Sequence, residues 1–188
     1  MLFQLPEFSV YVWISGFASK PDDFDAVLRA VQQKHPEISV QFVDLEKVPG
    51  SRYLFLATLN ALKSFHSKEP ISRTLGMEIL LYISANRQIA EAIQLVGMTS
   101  DTRQVAALLV GKSEEEVSSG AELLGQILNQ GGDDELIDQW SSVRIDNVLA
   151  IFGIGPKELK ATLRKDEEKA KAIERLAIER SALLAVKK

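Results

Sequence analysis

The sequence predicts an α/β (α+β) domain: a mixed central sheet of about four strands, flanked by helices and followed by a helical C-terminal extension. Three observations lead to this fold class. Segments rich in β-branched and aromatic residues alternate with helix-like segments over residues 1–130. A cluster of turn residues, Gly131–Asp134, interrupts this pattern, and residues 133–188 are helical in character. The 188 residues contain no internal repeat or long linker, so one domain spanning 1–188 is expected.

The N-terminal part is expected to supply two strands and two helices. Ser9–Ser15 is rich in β-branched and aromatic residues, and Ile38–Leu45 begins with alternating apolar and polar residues, so both are predicted strands. Pro21-Asp22-Asp23 predicts the start of the first helix, because acidic groups in a first turn interact favourably with the helix dipole. Pro49-Gly50 turns the chain into the second helix.

Two further strands are predicted in the middle of the chain. Met77–Ser84 is an apolar run with few polar breaks, typical of a central strand covered on both faces, and Val105–Val110 is a similar run. Asn86 is a suitable N-cap for a helix between them. The predicted buried face of that helix consists of residues at helical spacing: Ile89, Ile93 and Val96.

The remaining elements are predicted helices. Ser113 and Glu116 have the spacing of a capping box, which marks a helix start after the last strand. One helix is expected near Ser141–Phe152 and a long one from Pro156 to the C-terminus.

Composition favours a soluble cytoplasmic protein. The chain has no cysteine, which excludes disulfides and thiolate zinc sites, and its N-terminus does not have the pattern of a secretion signal. Net charge is −4, but residues 157–188 hold ten Lys/Arg against six Asp/Glu. A polyanion can therefore be met locally, although ordinary solvated lysines explain the same pattern.

No catalytic constellation is present in the sequence. The two histidines, His35 and His66, lie in different predicted elements, so no metal pair is expected. Gly111-Lys112-Ser113 imitates the end of a phosphate-binding loop, but the required upstream glycine is Ala106. We therefore expect a non-enzymatic protein without cofactor or metal.

A short glycine-rich segment leaves one alternative open. Gly153-Ile154-Gly155-Pro156 looks like the hairpin of a helix-hairpin-helix module, in which backbone N–H groups approach a nucleic-acid phosphate. The simpler interpretation is that Gly153 ends one helix and Pro156 begins the next. The alternative function is thus another kind of nucleic-acid-binding domain that uses this hairpin.

The central segment resembles a known family. Its motifs are Pro70-Ile71, Met77-Glu78-Ile79-Leu80, Gln88-Ile89 and Glu91-Ala92-Ile93, followed by Gly97. In this order and spacing they resemble the small kinase-associated regulatory subunit of the KEOPS complex, the PRPK-binding protein family, and its archaeal members most closely. The resemblance is strong over residues 55–111 and weaker towards the C-terminus, whereas residues 1–50 match only in the order of elements.

The resemblance implies a non-catalytic role in tRNA modification. The KEOPS complex makes threonylcarbamoyl-adenosine beside the anticodon of tRNAs that read codons beginning with A. Members of this family bind and stimulate the small atypical kinase, an ATPase, and meet the catalytic subunit only indirectly through it. They also bind the single-stranded CCA end of tRNA. No membrane association is implied.

The loop before the central segment is the predicted tRNA-binding site. Basic residues there and at the next helix start supply charge for the RNA backbone, and two apolar residues supply a wall for the terminal adenine. The predicted set is Lys63, His66, Lys68, Ile71, Arg73, Leu75 and Arg87. For Ile71 and Leu75 a role in the core is an equal alternative.

The C-terminal helix is the predicted kinase surface, because its apolar residues span more than one stripe. The predicted set is Ile173, Leu176, Ala177, Leu183 and Leu184. Homodimeric or intramolecular packing is the alternative explanation for the same residues.

Overall fold

A computed structural model describes residues 1–67, 69–165 and 167–186. Within them, four strands form a single sheet: β1 (Leu2–Leu5), β2 (Val10–Phe17), β3 (Ser39–Asp44) and β4 (Val105–Gly111). Their order is β1-β2-β4-β3, and each neighbouring pair is antiparallel. The predicted α+β class is confirmed, but the expectation of a mixed sheet is wrong.

Eight helices surround this sheet in the described part of the chain. They are α1 (Phe24–Lys34), α2 (Ser51–His66), α3 (Leu75–Ser84), α4 (Ile89–Val96), α5 (Glu114–Ile127), α6 (Ser142–Ile151), α7 (Pro156–Thr162) and α8 (Lys169–Leu183). Two hydrophobic cores lie on opposite faces of the sheet: α1 and α5 cover one face, and α2, α3, α4, α6 and α8 cover the other. None of the helices described is long and apolar enough to span a membrane.

The continuous apolar character of β4 follows from these two cores. Ala106, Leu108 and Val110 point into the larger core, and Val105, Ala107 and Leu109 point into the smaller one. An inner strand covered on both faces needs no polar alternation. The predicted strands at Ser9–Ser15, Ile38–Leu45 and Val105–Val110 are thus confirmed with small shifts of their ends.

Local capping chemistry starts two helices as expected. The Asp23 carboxylate accepts a hydrogen bond from the Ala26 N–H at 2.9 Å, and the Ser113 hydroxyl accepts one from the Glu116 N–H at 3.2 Å. Both bonds satisfy N–H groups that a helix start otherwise leaves unpaired.

The prediction of a strand at Met77–Ser84 is wrong, because this segment is α3. The helix is packed against β3 on one side and against α2 and α8 on others, so Ile79 to Ile83 are all buried. An apolar run that is buried on nearly every side has neither a helical nor a strand period. Gly76 permits the close approach to β3, since a Cβ there would lie 3.1 Å from the Val40 carbonyl oxygen. The fourth strand is instead β1, which the sequence interpretation missed.

The predicted buried stripe of α4 is confirmed at Val96 and wrong at Ile89 and Ile93. Ala92 and Val96 are its buried residues, whereas Ile89 and Ile93 remain 43% and 46% exposed. The N-cap residue is Gln88 and not the predicted Asn86. Asn86 lies two residues before it, and its side-chain oxygen accepts a hydrogen bond from the Gln88 N–H at 2.8 Å.

The long C-terminal helix predicted from Pro156 onwards is divided into α7 and α8. Arg175 in α8 joins the two pieces: its guanidinium donates to the Thr162 carbonyl oxygen at 2.9 Å and forms an ion pair with Glu167. The C-terminal helices contribute Val148, Ile173 and other residues to the larger core.

Candidate nucleic-acid interface

A cavity of about 250 Å³ opens where the C-terminal ends of α2 and α8 meet the loop that precedes α3. Its wall combines polar, cationic, aromatic and aliphatic groups. Residues that line it include Asn60, Lys63, Ser64, Ile71, Tyr82 and Arg87.

Hydrogen bonds to the last turn of α3 hold this cavity together. The Tyr53 hydroxyl, from α2, donates to the Ile83 carbonyl oxygen at 2.7 Å. The Ser181 hydroxyl, from α8, donates to the Tyr82 carbonyl oxygen at 2.8 Å. Carbonyl groups at a helix end have no partner within the helix, so side chains of two neighbouring helices satisfy them here. The three helices that frame the cavity are therefore fixed to one another.

The loop is joined to the end of α2 by two reciprocal bonds. The Ser64 hydroxyl donates to the Glu69 carbonyl oxygen at 3.2 Å, and the Glu69 N–H donates to the Ser64 carbonyl oxygen at 3.2 Å. The loop thus returns directly over the helix that it leaves, which forms one side of the cavity.

Three of the residues predicted to bind tRNA meet at this cavity: Lys63, Ile71 and Arg87. Lys63 and Arg87 are exposed, and Ile71 is half-buried against the larger core. Ile71 is therefore both a core contact and part of the wall, so its two interpretations coexist.

Three of the other predicted residues, His66, Arg73 and Leu75, do not line the cavity. His66 is exposed on the last turn of α2, where its ring contacts Phe8 edge-on with centroids 5.8 Å apart. Arg73 is exposed in the loop, and Leu75 is half-buried against the larger core at the start of α3. Lys68 lies outside the described residues.

The electrostatics of the cavity are mixed. Arg87 donates to the Leu184 carbonyl oxygen at 3.4 Å, and Glu69 adds a carboxylate to the lining. Burial raises the pKa of Tyr82, although a hydrogen bond with Ser64 opposes this effect. The phenol therefore stays protonated at neutral pH and keeps its hydrogen-bonding capacity.

The sequence interpretation missed Asn60, Ser64 and Tyr82. Tyr82 was assigned to a strand interior, whereas on a helix it lies one turn after Glu78 and hence on the side of α3 that faces the loop. Asn60 and Ser64 share a face of α2 with Lys63, at the i+3 and i+4 spacing that brings helix residues together.

The predicted kinase surface on α8 is mostly buried. Ile173, Leu176, Ala177 and Leu184 are at most 4% exposed, because α8 packs against α2 and α3. The expectation that they form exposed apolar area is wrong, and the alternative of intramolecular packing accounts for these four. Leu183, at 41% exposure, is the member of the set that reaches the surface.

Leu183 belongs to a second surface depression, of about 290 Å³. Leu95 from α4 and Ile151 from α6 line it together with Ala85 at the end of α3. Arg180 lies at its edge, where the guanidinium donates to the Phe152 carbonyl oxygen at 3.0 Å and pairs with Glu158 at 2.6 Å. The exposed apolar area near the C-terminus is thus composed of several helices.

The glycine-rich hairpin is the junction between α6 and α7. Gly153 has a positive φ of 58°, and the N–H groups of Gly153 and Ile154 donate back to carbonyls of α6 at 3.2 and 2.9 Å. The side chain of Ile154 is buried. A glycine helix stop followed by Pro156 in the first turn of α7 accounts for this conformation.

Over the described ranges, no group of three or more His, Cys, Asp or Glu residues is arranged to hold a metal ion.

Comparison with known proteins agrees with the motifs of the central segment. No curated protein gave a significant match to the chain. The model of the family described as kinase binding protein CGI-121 matches residues 23–185, which is most of the sequence and includes every element that frames the cavity. The chain therefore belongs to the kinase-binding CGI-121 family.

Proposed function

We propose that this protein is a non-catalytic subunit of the KEOPS complex, which binds and stimulates the small kinase and recruits tRNA by its CCA end. Membership of a kinase-binding family supports the first part. The observation that carries the second part is the cavity in which Lys63, Ile71 and Arg87 meet Tyr82.

The cavity suits the end of a single strand. Its volume of about 250 Å³ lies below the roughly 300–1,000 Å³ of pockets for drug-sized ligands, so one base is a better match than a folded RNA segment. Proteins recognise single-stranded RNA by contacts to unstacked bases and by positive charge along the backbone. Ile71 supplies apolar surface, and Asn60 and Ser64 supply polar groups for a base edge. Tyr82 forms part of the wall with only 2% of its surface exposed, so it supports the cavity more than it contacts a ligand.

The positions of the basic residues around the cavity support the proposal that the RNA backbone passes beside the loop. Lys63 and Arg73 are both exposed and flank the loop on either side of Ile71 along the chain. Neither forms an ion pair within the described residues, so both remain available to phosphates. Because the whole chain has a net charge of −4, we expect the RNA backbone to be attracted only where basic residues are grouped, as they are here.

The kinase surface that we propose is centred on Leu183, with Leu95 and Ile151 beside it. These residues come from three different helices that the fold fixes relative to one another. A surface patch of exposed apolar side chains with a polar rim is a usual feature of protein interfaces.

Retention of both partners on the immobilised protein tests this function. The purified kinase subunit should be retained, and intact tRNA should be retained more strongly than the same tRNA from which the three CCA nucleotides have been removed. Equal retention of the two tRNAs would argue against recruitment through the CCA end. Failure to retain the kinase would argue against the subunit role itself.

A further inference from the structure

Glu78 is a carboxylate that the fold buries completely. It lies in the first turn of α3 with 0% exposure. Its oxygens accept hydrogen bonds from the Ile71 N–H at 3.0 and 3.1 Å and from the Ser72 N–H at 2.7 Å. No ion pair joins it to a cation in the part of the chain that the structure describes. A charge buried in this way is tolerated only when hydrogen bonds replace its hydration, and here backbone donors of the loop do so.

The hydrogen bonds from Ile71 and Ser72 to Glu78 fix the loop backbone where Ile71 becomes part of the cavity wall. The Ile71 side chain lines the cavity, and its own N–H is held by Glu78. The Ser72 hydroxyl adds a bond to the Thr74 carbonyl oxygen at 2.8 Å, which closes the loop onto the start of α3. Tyr82, one turn after Glu78 on the same helix, lines the cavity as well. Glu78 therefore connects two parts of the wall without touching the cavity itself.

We infer that Glu78 is a positioning residue: it holds the Ile71–Ser72 backbone so that the cavity wall is formed before RNA binds. This inference rests on the proposed recruitment of a CCA end. A wall that is already ordered loses less conformational entropy on binding, and the affinity for the correct end rises accordingly. Oε2 of Glu78 accepts from both N–H groups, and Oε1 accepts from the Ile71 N–H as well, so both carboxylate oxygens face a donor. A glutamine offers a single acceptor oxygen and turns an NH₂ donor towards the loop.

The test compares Glu78→Gln with a second buried carboxylate, Asp44→Asn. Asp44 is 5% exposed, accepts bonds from the Glu46 N–H at 3.1 Å and the Thr102 hydroxyl at 2.7 Å, and differs from Glu78 in pairing with Lys47 at 3.6 Å; it does not line the cavity. Affinities for tRNA with and without CCA are measured well below each variant's unfolding temperature. We expect Glu78→Gln to bind intact tRNA about tenfold more weakly, with the preference for the CCA end largely lost, as for a lost bond to a buried charge. Asp44→Asn should lower the unfolding temperature and keep both affinities.

The outcomes separate this inference from the function on which it rests. If the wild type does not distinguish the two tRNAs, the proposed recruitment fails and the inference fails with it. If the wild type distinguishes them and Glu78→Gln does so equally well, Glu78 is structural only and recruitment stands. If Glu78→Gln does not fold, amide hydrogen exchange of the wild type decides. Slow exchange at Ile71 and Ser72 in the free protein supports a preformed wall, and fast exchange overturns it.

Discussion

The loop before α3 and the C-terminal helix α8 are both predicted partner surfaces, but the loop residues are exposed and most of the α8 residues are buried. In the loop region, Lys63, Arg73 and Arg87 are exposed, as their charge requires. In α8, most of the apolar residues chosen as a surface are buried against α2 and α3. A charged side chain favours the surface unless polar groups of the fold pair with it, as they do with the buried Glu78, whereas an apolar side chain is compatible with either a core or an interface.

Leu176→Asp and Leu183→Asp break this comparison most directly, because they place the same charge on one helix at a buried and an exposed position. Leu176 is 4% exposed, so an aspartate there should lower the free energy of unfolding by roughly 3–5 kcal/mol, as for a buried unpaired charge. Leu183→Asp should leave stability within about 0.5 kcal/mol. Urea denaturation of the two variants measures the difference.

The same pair also tests the kinase surface. Folded Leu183→Asp should bind the kinase about tenfold more weakly, as expected when an apolar anchor is replaced by a charge. Undiminished binding, measured by titration with the purified kinase, would exclude Leu183 from the interface. A stable Leu176→Asp protein would contradict the buried position of α8.

Charge reversal in the loop region tests whether its exposed basic residues bind tRNA. Lys63→Glu combined with Arg73→Glu should weaken tRNA binding about tenfold to a hundredfold at low salt, because two phosphate-facing cations become anions. Binding of the kinase should not change.

A matched double reversal on α7, Lys157→Glu with Lys160→Glu, serves as the control. Both lysines are exposed next to the Gly153–Gly155 hairpin. Gel shifts at low salt should show near-normal tRNA binding for this variant. A larger loss here than at the loop would favour the hairpin as the nucleic-acid site and remove the loop assignment.

The smallest expected effect is a pH dependence of the brace between α7 and α8. Hydrogen bonds from Arg175, with a further one from the Arg164 N–H, lower the pKa of Glu167 to about 2 from an ordinary value of 4.5. A carboxyl whose folded pKa is depressed stabilises the fold fully above about pH 4.5 and loses this contribution as the pH falls towards 2. The difference in denaturation midpoint between wild type and Glu167→Gln should therefore shrink over that interval. A difference that does not vary with pH would show that the ion pair is not its source.

The sequence predicts elements well where the signal is local. Asp23 and Ser113 start helices through bonds to N–H groups three residues away, so their role can be inferred without the fold. Met77–Ser84 could not be assigned correctly, because a helix enclosed by a sheet and two helices has no polar face to reveal its period. Ile89 and Ile93 were misplaced for the related reason that an apolar stripe does not say which side is covered.

The candidate site shows the same division. Lys63 and Ile71 could be selected from the sequence because they lie in or beside one short loop, and Arg87 because it is a basic residue at the next helix start; all three line one cavity. Tyr82 and Ser181 could not, since their contribution depends on how α3 and α8 approach each other. Leu95, Ile151 and Leu183 meet only in the tertiary structure, from three helices that are distant in sequence.

The enclosure of α3 has a geometric consequence. Tyr82, in the last turn of this helix, lines the cavity, and Ser84 and the following Ala85 line the depression beside Leu183. Both positions belong to the C-terminal end of α3, where the Tyr82 and Ile83 carbonyl oxygens accept hydrogen bonds from Ser181 and Tyr53. The end of α3 thus joins the two surfaces rigidly. An RNA end in the cavity and a protein on the Leu183 surface would be held at a constant separation. Two ligands held in this way can be presented to a third molecule in a constant orientation.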